Sequence, residues 1–121
     1  MPVVLIIDDS PTEVHVLKSA LEQNGYSTLS ADNGRAGVEL AREALPDLIL
    51  MDVVMPGLNG YQATRRLHKD PATSAIPVIM VTTKSHETDR IWGMRQGAVD
   101  YIVKPVDTVE LMERARAALA A

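Results

Sequence analysis

The chain has 121 residues, 46% of them hydrophobic and 23% charged, with no cysteine and a formal net charge of −4. That length predicts one domain burying roughly two-thirds of its unfolded surface, the composition gives no sign of disorder, and no apolar run approaches the ~20 residues of a membrane span. Lack of cysteine excludes disulfides, thiolate nucleophiles and Cys-ligated metals, and the acidic balance argues against nucleic acid as a direct partner, the pair Arg65-Arg66 being too small to reverse it.

Val3-Val4-Leu5-Ile6-Ile7 is a β-branched run closed by Asp8-Asp9. It lacks the basic start of a signal peptide and reads as a first strand, so the expected compartment is the cytoplasm. Ser10-Pro11-Thr12-Glu13 then carries a helix start: Ser10 as cap, Pro11 at the first helical position and Glu13 as the capping-box partner. Val14, Leu17 and Leu21 recur at helical spacing, and Gly25 suits the left-handed residue past the helix end. Ser27 to Ala31 is half polar, as expected of an edge strand. A second helix starts from Asp32 or Asn33, with Gly37, Leu40, Ala41 and Ala44 on one face, and Pro46 stops it.

The next stretch, Leu48-Ile49-Leu50-Met51-Asp52-Val53-Val54-Met55-Pro56-Gly57, organises the rest. An apolar run with no alternation is the mark of a parallel strand covered on both faces, and such strands present their chemistry at the carboxyl end, where Asp52 stands. Asn59 to Gln62 offers a further capping box before a helix through about His68, and Asp70-Pro71 turns the chain. Ile76 to Val81 is the fourth strand, ending on Thr82-Thr83. A polar helix follows from about Ser85 to Gln96, then a fifth strand from Val99 to Val103 ending on Lys104-Pro105. Asp107 caps a last helix with Leu111, Ala115, Ala118 and Leu119 as its apolar stripe.

Five strands alternating with five helices predict an α/β fold: a doubly wound five-stranded parallel sheet with right-handed crossovers. The polar second strand belongs at an edge, which favours the flavodoxin-like order 2-1-3-4-5. The expectation is a single domain over residues 1–121 with no output domain attached. In that topology Asp8 and Asp9, Asp52, Thr82 and Lys104 all close strands at one sheet edge, beside the switch point where such folds bind ligands. Taken singly each has an ordinary reading: helix-start acids, a turn acid, a strand-end cap, a solvated lysine. Jointly those readings require the same edge to be reached four times by accident.

Three carboxylates this close repel by a few kcal/mol per pair at an effective dielectric near ~20, unless a cation intervenes. An oxygen-ligated Mg2+ that keeps several waters is the natural remedy. With it, Asp52 is placed to attack an electrophilic phosphorus while Thr82 and Lys104 hold the equatorial oxygens, giving an aspartyl phosphate.

Asp8-Asp9, Asp52 with Met55-Pro56-Gly57 behind it, Thr82 and Lys104-Pro105 resemble the receiver domain of two-component response regulators across the whole chain. The finer text around Asp8-Asp9-Ser10-Pro11-Thr12-Glu13, Val54 to Arg65 and Thr82-Thr83-Lys84 is similar to stand-alone receivers of type IV pilus chemosensory systems, which serve twitching motility. The resemblance implies that Asp52 accepts a phosphoryl group from a histidine kinase and that the chain is not a turnover enzyme. It implies Mg2+ on Asp9 and Asp52 directly, on Asp8 largely through water, and on the Val54 carbonyl. It makes Thr82 the switch hydroxyl, Tyr101 the aromatic that follows it, and Lys104 the cation on the phosphate, with a cis bond before Pro105. A downstream protein would read the surface of the fourth helix, fifth strand and fifth helix.

Val54 and Lys84 occupy the two variable positions beside the phosphoryl group, and neither supplies an amide or carboxylate to orient a hydrolytic water. His15, His68 and His86 lack partners at ligand spacing and are expected on solvated surface. Tyr101 by its strand position alone is a half-buried packing residue, and Trp92 with Ile91 and Met94 is either core or an exposed apolar patch. Other functions are a phosphate sink for a shared kinase or an aspartate-nucleophile phosphatase. The latter needs an acid two residues after Asp52, where Val54 stands. A flavodoxin-like cofactor binder would need a glycine-rich phosphate loop after strand one, where Asp8-Asp9 stand instead.

Overall fold

The computed structural model describes residues 1–121. Strand β1 (Val3–Ile7) leads into helix α1 (Pro11–Gln23), β2 (Ser27–Ala31) into α2 (Gly34–Ala44), and β3 (Leu48–Met51) into α3 (Gly60–Lys69). Then β4 (Val78–Thr82) leads into α4 (Glu87–Gln96) and β5 (Asp100–Val103) into α5 (Thr108–Ala120). All strands pair in parallel in the order β2-β1-β3-β4-β5, the flavodoxin-like order expected from the polar edge strand.

The uninterrupted apolar text of β1 and β3 has a direct physical counterpart. Successive side chains point to opposite faces. Val4, Ile6, Leu48 and Leu50 therefore enter one core with Leu17, Leu21 and Leu111 of α1 and α5. Leu5, Ile7, Ile49 and Met51 enter the other with Ala41, Ala63 and Leu67 of α2 and α3. Both faces are dry, so no position in these strands can be polar. Strand β2 pairs only with β1 and is mostly exposed, which is why serine and threonine are tolerated there.

Several boundaries differ from the sequence reading. Strand β4 begins at Val78 instead of Ile76, because Pro77 has no N–H for the ladder and contributes only its carbonyl, to Ile49 N–H at 3.0 Å. It ends on Thr82 itself. Helix α4 begins at Glu87, two residues after the expected Ser85, and β5 at Asp100, one after Val99. Helix α2 takes Asn33 as its cap, and Ala44 is exposed and not on the buried face, since the chain has already reached the left-handed Leu45. The Asn59–Gln62 capping box is present in full. The one before α1 is not. Ser10 Oγ accepts from Glu13 N–H at 3.3 Å, but Ser10 N–H is taken by Asp8 Oδ1 at 2.9 Å, leaving nothing for the Glu13 carboxylate to cap. His15, His68 and His86 are exposed, as expected. Trp92 and Ile91 are 51% and 41% exposed, so they form surface patch and not core, while Met94 packs on the core beneath.

Candidate functional site

The strand register brings the chemistry to one edge. Ile7 pairs with Met51, Met51 with Met80, and Thr82 with Val103, so the residues that follow each strand line up beside one another. Asp8, Asp9 and Asp52 each place a carboxylate oxygen within 4.8 Å of the others. Asp8 is 2% and Asp52 8% exposed, while Asp9 is open to solvent. Asp52 Oδ1 accepts from its neighbour Val53 N–H at 2.8 Å, which fixes the carboxylate orientation and leaves Oδ2 toward Lys104.

Lys104 is the cation of the site. Its side chain is 7% exposed, and Nζ lies 2.8 Å from Asp8 Oδ2, 3.7 Å from Asp52 Oδ2 and 4.0 Å from Glu13 Oε2. The Lys104-Pro105 bond is cis, as the resemblance implied. Burial works against the ammonium, but its hydrogen bond to Asp8 and the charges of Asp52, Asp8 and Glu13 outweigh it and hold Lys104 above its usual range. Asp52 is likewise held above the ordinary carboxylate range: burial raises it, Lys104 opposes, and the Asp8 charge raises it further. Glu13, read from sequence as a cap, is thus a fourth carboxylate at the rim. Only its place three residues beyond the capping serine could have hinted at it.

Thr82 is fully buried, its hydroxyl near enough to Asp52 to favour the ionised form and accepting from Lys84 N–H at 3.3 Å. Tyr101 is 6% exposed, more buried than a half-buried strand position, and its hydroxyl donates to the Lys84 carbonyl at 2.7 Å. Thr82 and Tyr101 therefore hold the same short segment from two sides. Lys84 Nζ lies 3.7 Å from Asp89 Oδ1 on α4, and Val54 is 58% exposed. The Val54 carbonyl accepts no backbone hydrogen bond. An open groove of about 670 Å³ lined in part by Asp8, Asp9, Pro11, His15, Lys18 and Asp32 leads to the acids.

Mg2+ fits this donor set. All the ligand atoms are hard oxygens, three are carboxylates, and the single buried cation is already committed to Asp8. Lys104 hydrogen-bonds Asp8 and stands farther from Asp52, so three carboxylates share one ammonium and the cluster keeps net negative charge for a cation.

A sequence model of the family described as "Response regulator receiver domain" matches residues 4–116. Protein PilH of Pseudomonas aeruginosa is 60% identical over 117 residues, covering 97% of each chain. The receiver domain of the sensor histidine kinase PA1611 from Pseudomonas aeruginosa, solved with a magnesium ion coordinated in its active site cleft, superposes with a TM-score of 0.92 at 28% identity, covering 99% of this chain and 98% of that one. Chemotaxis protein CheY4 of Vibrio cholerae superposes with a TM-score of 0.92 at 28% identity, covering 98% of this chain and 99% of that one.

Proposed function

We infer the function from one premise: the chain belongs to the response regulator receiver domain family. Asp52 is the phosphoryl acceptor, and the chain is a signalling acceptor and not a turnover enzyme. An Oδ of Asp52 forms the new P–O bond as the P–N bond of a kinase phosphohistidine breaks, and the electron pair leaves on the imidazole. Asp9, Asp52 and the Val54 carbonyl would hold Mg2+, with Asp8 acting largely through water. The ion, when bound, neutralises charge on the transferring phosphoryl oxygens. Lys104, already 3.7 Å from Asp52 Oδ2, pairs with the phosphoryl group once it is attached. Thr82 supplies a hydroxyl to a phosphoryl oxygen, and the Lys84 segment and Tyr101 follow it. The affected surface is α4-β5-α5, where Trp92 and Ile91 stand exposed for a downstream protein.

The observation that carries this reading is the convergence of three acids, a buried hydroxyl and a buried ammonium from four separate strand ends. The setting we propose is cytoplasmic type IV pilus chemosensory signalling in twitching motility. The extensive identity to PilH supports it, and no helix is long and apolar enough to cross a membrane. The test is phosphotransfer from a chemosensory histidine kinase autophosphorylated with labelled ATP. Label should move to the chain only with Mg2+ present and not to an Asp52→Asn variant. Steady hydrolysis of an aryl phosphate would point to the phosphatase class instead.

A further inference from the structure

Tyr61 is the residue beside the site to which the phosphoryl-acceptor chemistry gives no task. It is the second residue of α3, a helix that starts directly on the backbone of the Asp52 loop. Gly60 N–H donates to the Val53 carbonyl at 2.9 Å. Gly60 also has to be glycine: a Cβ there would overlap the Asp52 carbonyl oxygen and stand 2.7 Å from Val53 Cα. The turn is locked from its other side by the capping box, with Gln62 N–H on Asn59 Oδ1 at 2.9 Å and Asn59 N–H on Gln62 Oε1 at 3.0 Å. A shift of residues 52–53 therefore passes into the first turn of α3 without slack.

From that turn the Tyr61 hydroxyl reaches across to α4 and donates to the Asp89 backbone carbonyl at 3.2 Å, joining elements 28 positions apart. Its phenol neighbours that of Tyr101, and burial holds both hydroxyls in their neutral, donating form. Helix α4 has few other attachments. Only Gly93 and Gln96 of its residues are buried. It approaches the sheet closely at Gly93, where a Cβ would stand 2.6 Å from Met80 Sδ and 3.5 Å from Tyr101 Cε2. Its first turn is otherwise held by Asp89, whose Oδ2 accepts from His86 N–H at 3.2 Å and whose Oδ1 faces Lys84. A helix with so little buried area takes its position from such polar contacts.

We propose that Tyr61 is a positioning residue, a strut that couples the Asp52 loop to the first turn of α4 through Gly60, in parallel with the route through Thr82. The direction of the signal rests on the phosphoryl-acceptor reading; the strut itself rests on α3 and α4 alone. Two measurements on Tyr61→Phe, which removes only the hydroxyl, test it. Without any ligand, amide hydrogen exchange over residues 87–93 should quicken about three- to tenfold, the range of one net hydrogen bond, while exchange in α1 stays at wild-type rates. With Mg2+ and beryllofluoride, the emission change of Trp92, the chain's single tryptophan, should fall to about half the wild-type amplitude, and adding Thr82→Ala should abolish the remainder. Wild-type exchange in α4 together with full Trp92 amplitude in Tyr61→Phe would overturn the strut. Faster α4 exchange in the variant, combined with no beryllofluoride response in the wild type, would keep the strut and remove the phosphoryl-acceptor reading.

Discussion

Lys104 donates to Asp8 at 2.8 Å across 96 positions of sequence, and the pair is almost entirely shielded from solvent. Breaking a buried pair by removing one partner leaves the other charge uncompensated, which costs about 3–5 kcal/mol. Lys104→Met should therefore lower metal-free stability by about 3 kcal/mol at neutral pH in urea unfolding. Added Mg2+ should restore more stability to the variant than to the wild type, because the variant has the more negative site. Equal Mg2+ gains in both proteins would count against that assignment of charge.

Asp52 gives a prediction with the opposite sign. Its folded-state pKa is raised by burial, so between the ordinary carboxylate range and that raised value the folded chain holds a proton the unfolded chain has lost. Stability then falls as pH rises through that window, and the loss is complete above it. Asp52→Asn, which keeps an oxygen for Val53 N–H, should be more stable than wild type at pH 7 without metal. The advantage should vanish below the ordinary carboxylate range. Thermal melts at pH 7 that show no difference would refute it.

The start of α1 separates two residues that the sequence pairs. Ser10 makes the cap hydrogen bond and Glu13 does not return one. Ser10→Ala should cost about 1 kcal/mol, and Glu13→Ala less than half of that. Chemical denaturation of the two variants decides it, and equal losses would restore the capping box.

The resemblance puts Val54 and Lys84 beside the phosphoryl group; neither brings an amide or carboxylate to orient a hydrolytic water, and Lys84 is turned toward Asp89. Introducing one, as in Val54→Asn, should speed loss of the phosphoryl group by about tenfold, less than a full general-base contribution. Lys84→Glu should also change the decay rate. Unchanged decay in both variants would dismiss these positions as determinants.

How much of this was legible before folding follows from burial. Strands β1 and β3 announce themselves because both faces are dry, and a polar residue at their ends then has to be at the sheet edge. Asp8, Asp52, Thr82 and Lys104 could therefore be placed together from text alone. Contacts made by exposed or half-exposed side chains could not. Glu13 beside Lys104 and Tyr61 on Asp89 depend on the spacing of helices across the sheet, which no local pattern encodes. The start of α4 lies two residues beyond the sequence reading because its first turn, Glu87 to Arg90, is polar and carries no apolar period to read.

Phosphorylation at Asp52 is read from the intact mass of the protein and of Asp52→Asn after incubation with acetyl phosphate and Mg2+. One phosphoryl-sized increment is expected on the wild type, absent when the metal is chelated and absent from the variant. An increment that persists in Asp52→Asn would contradict it.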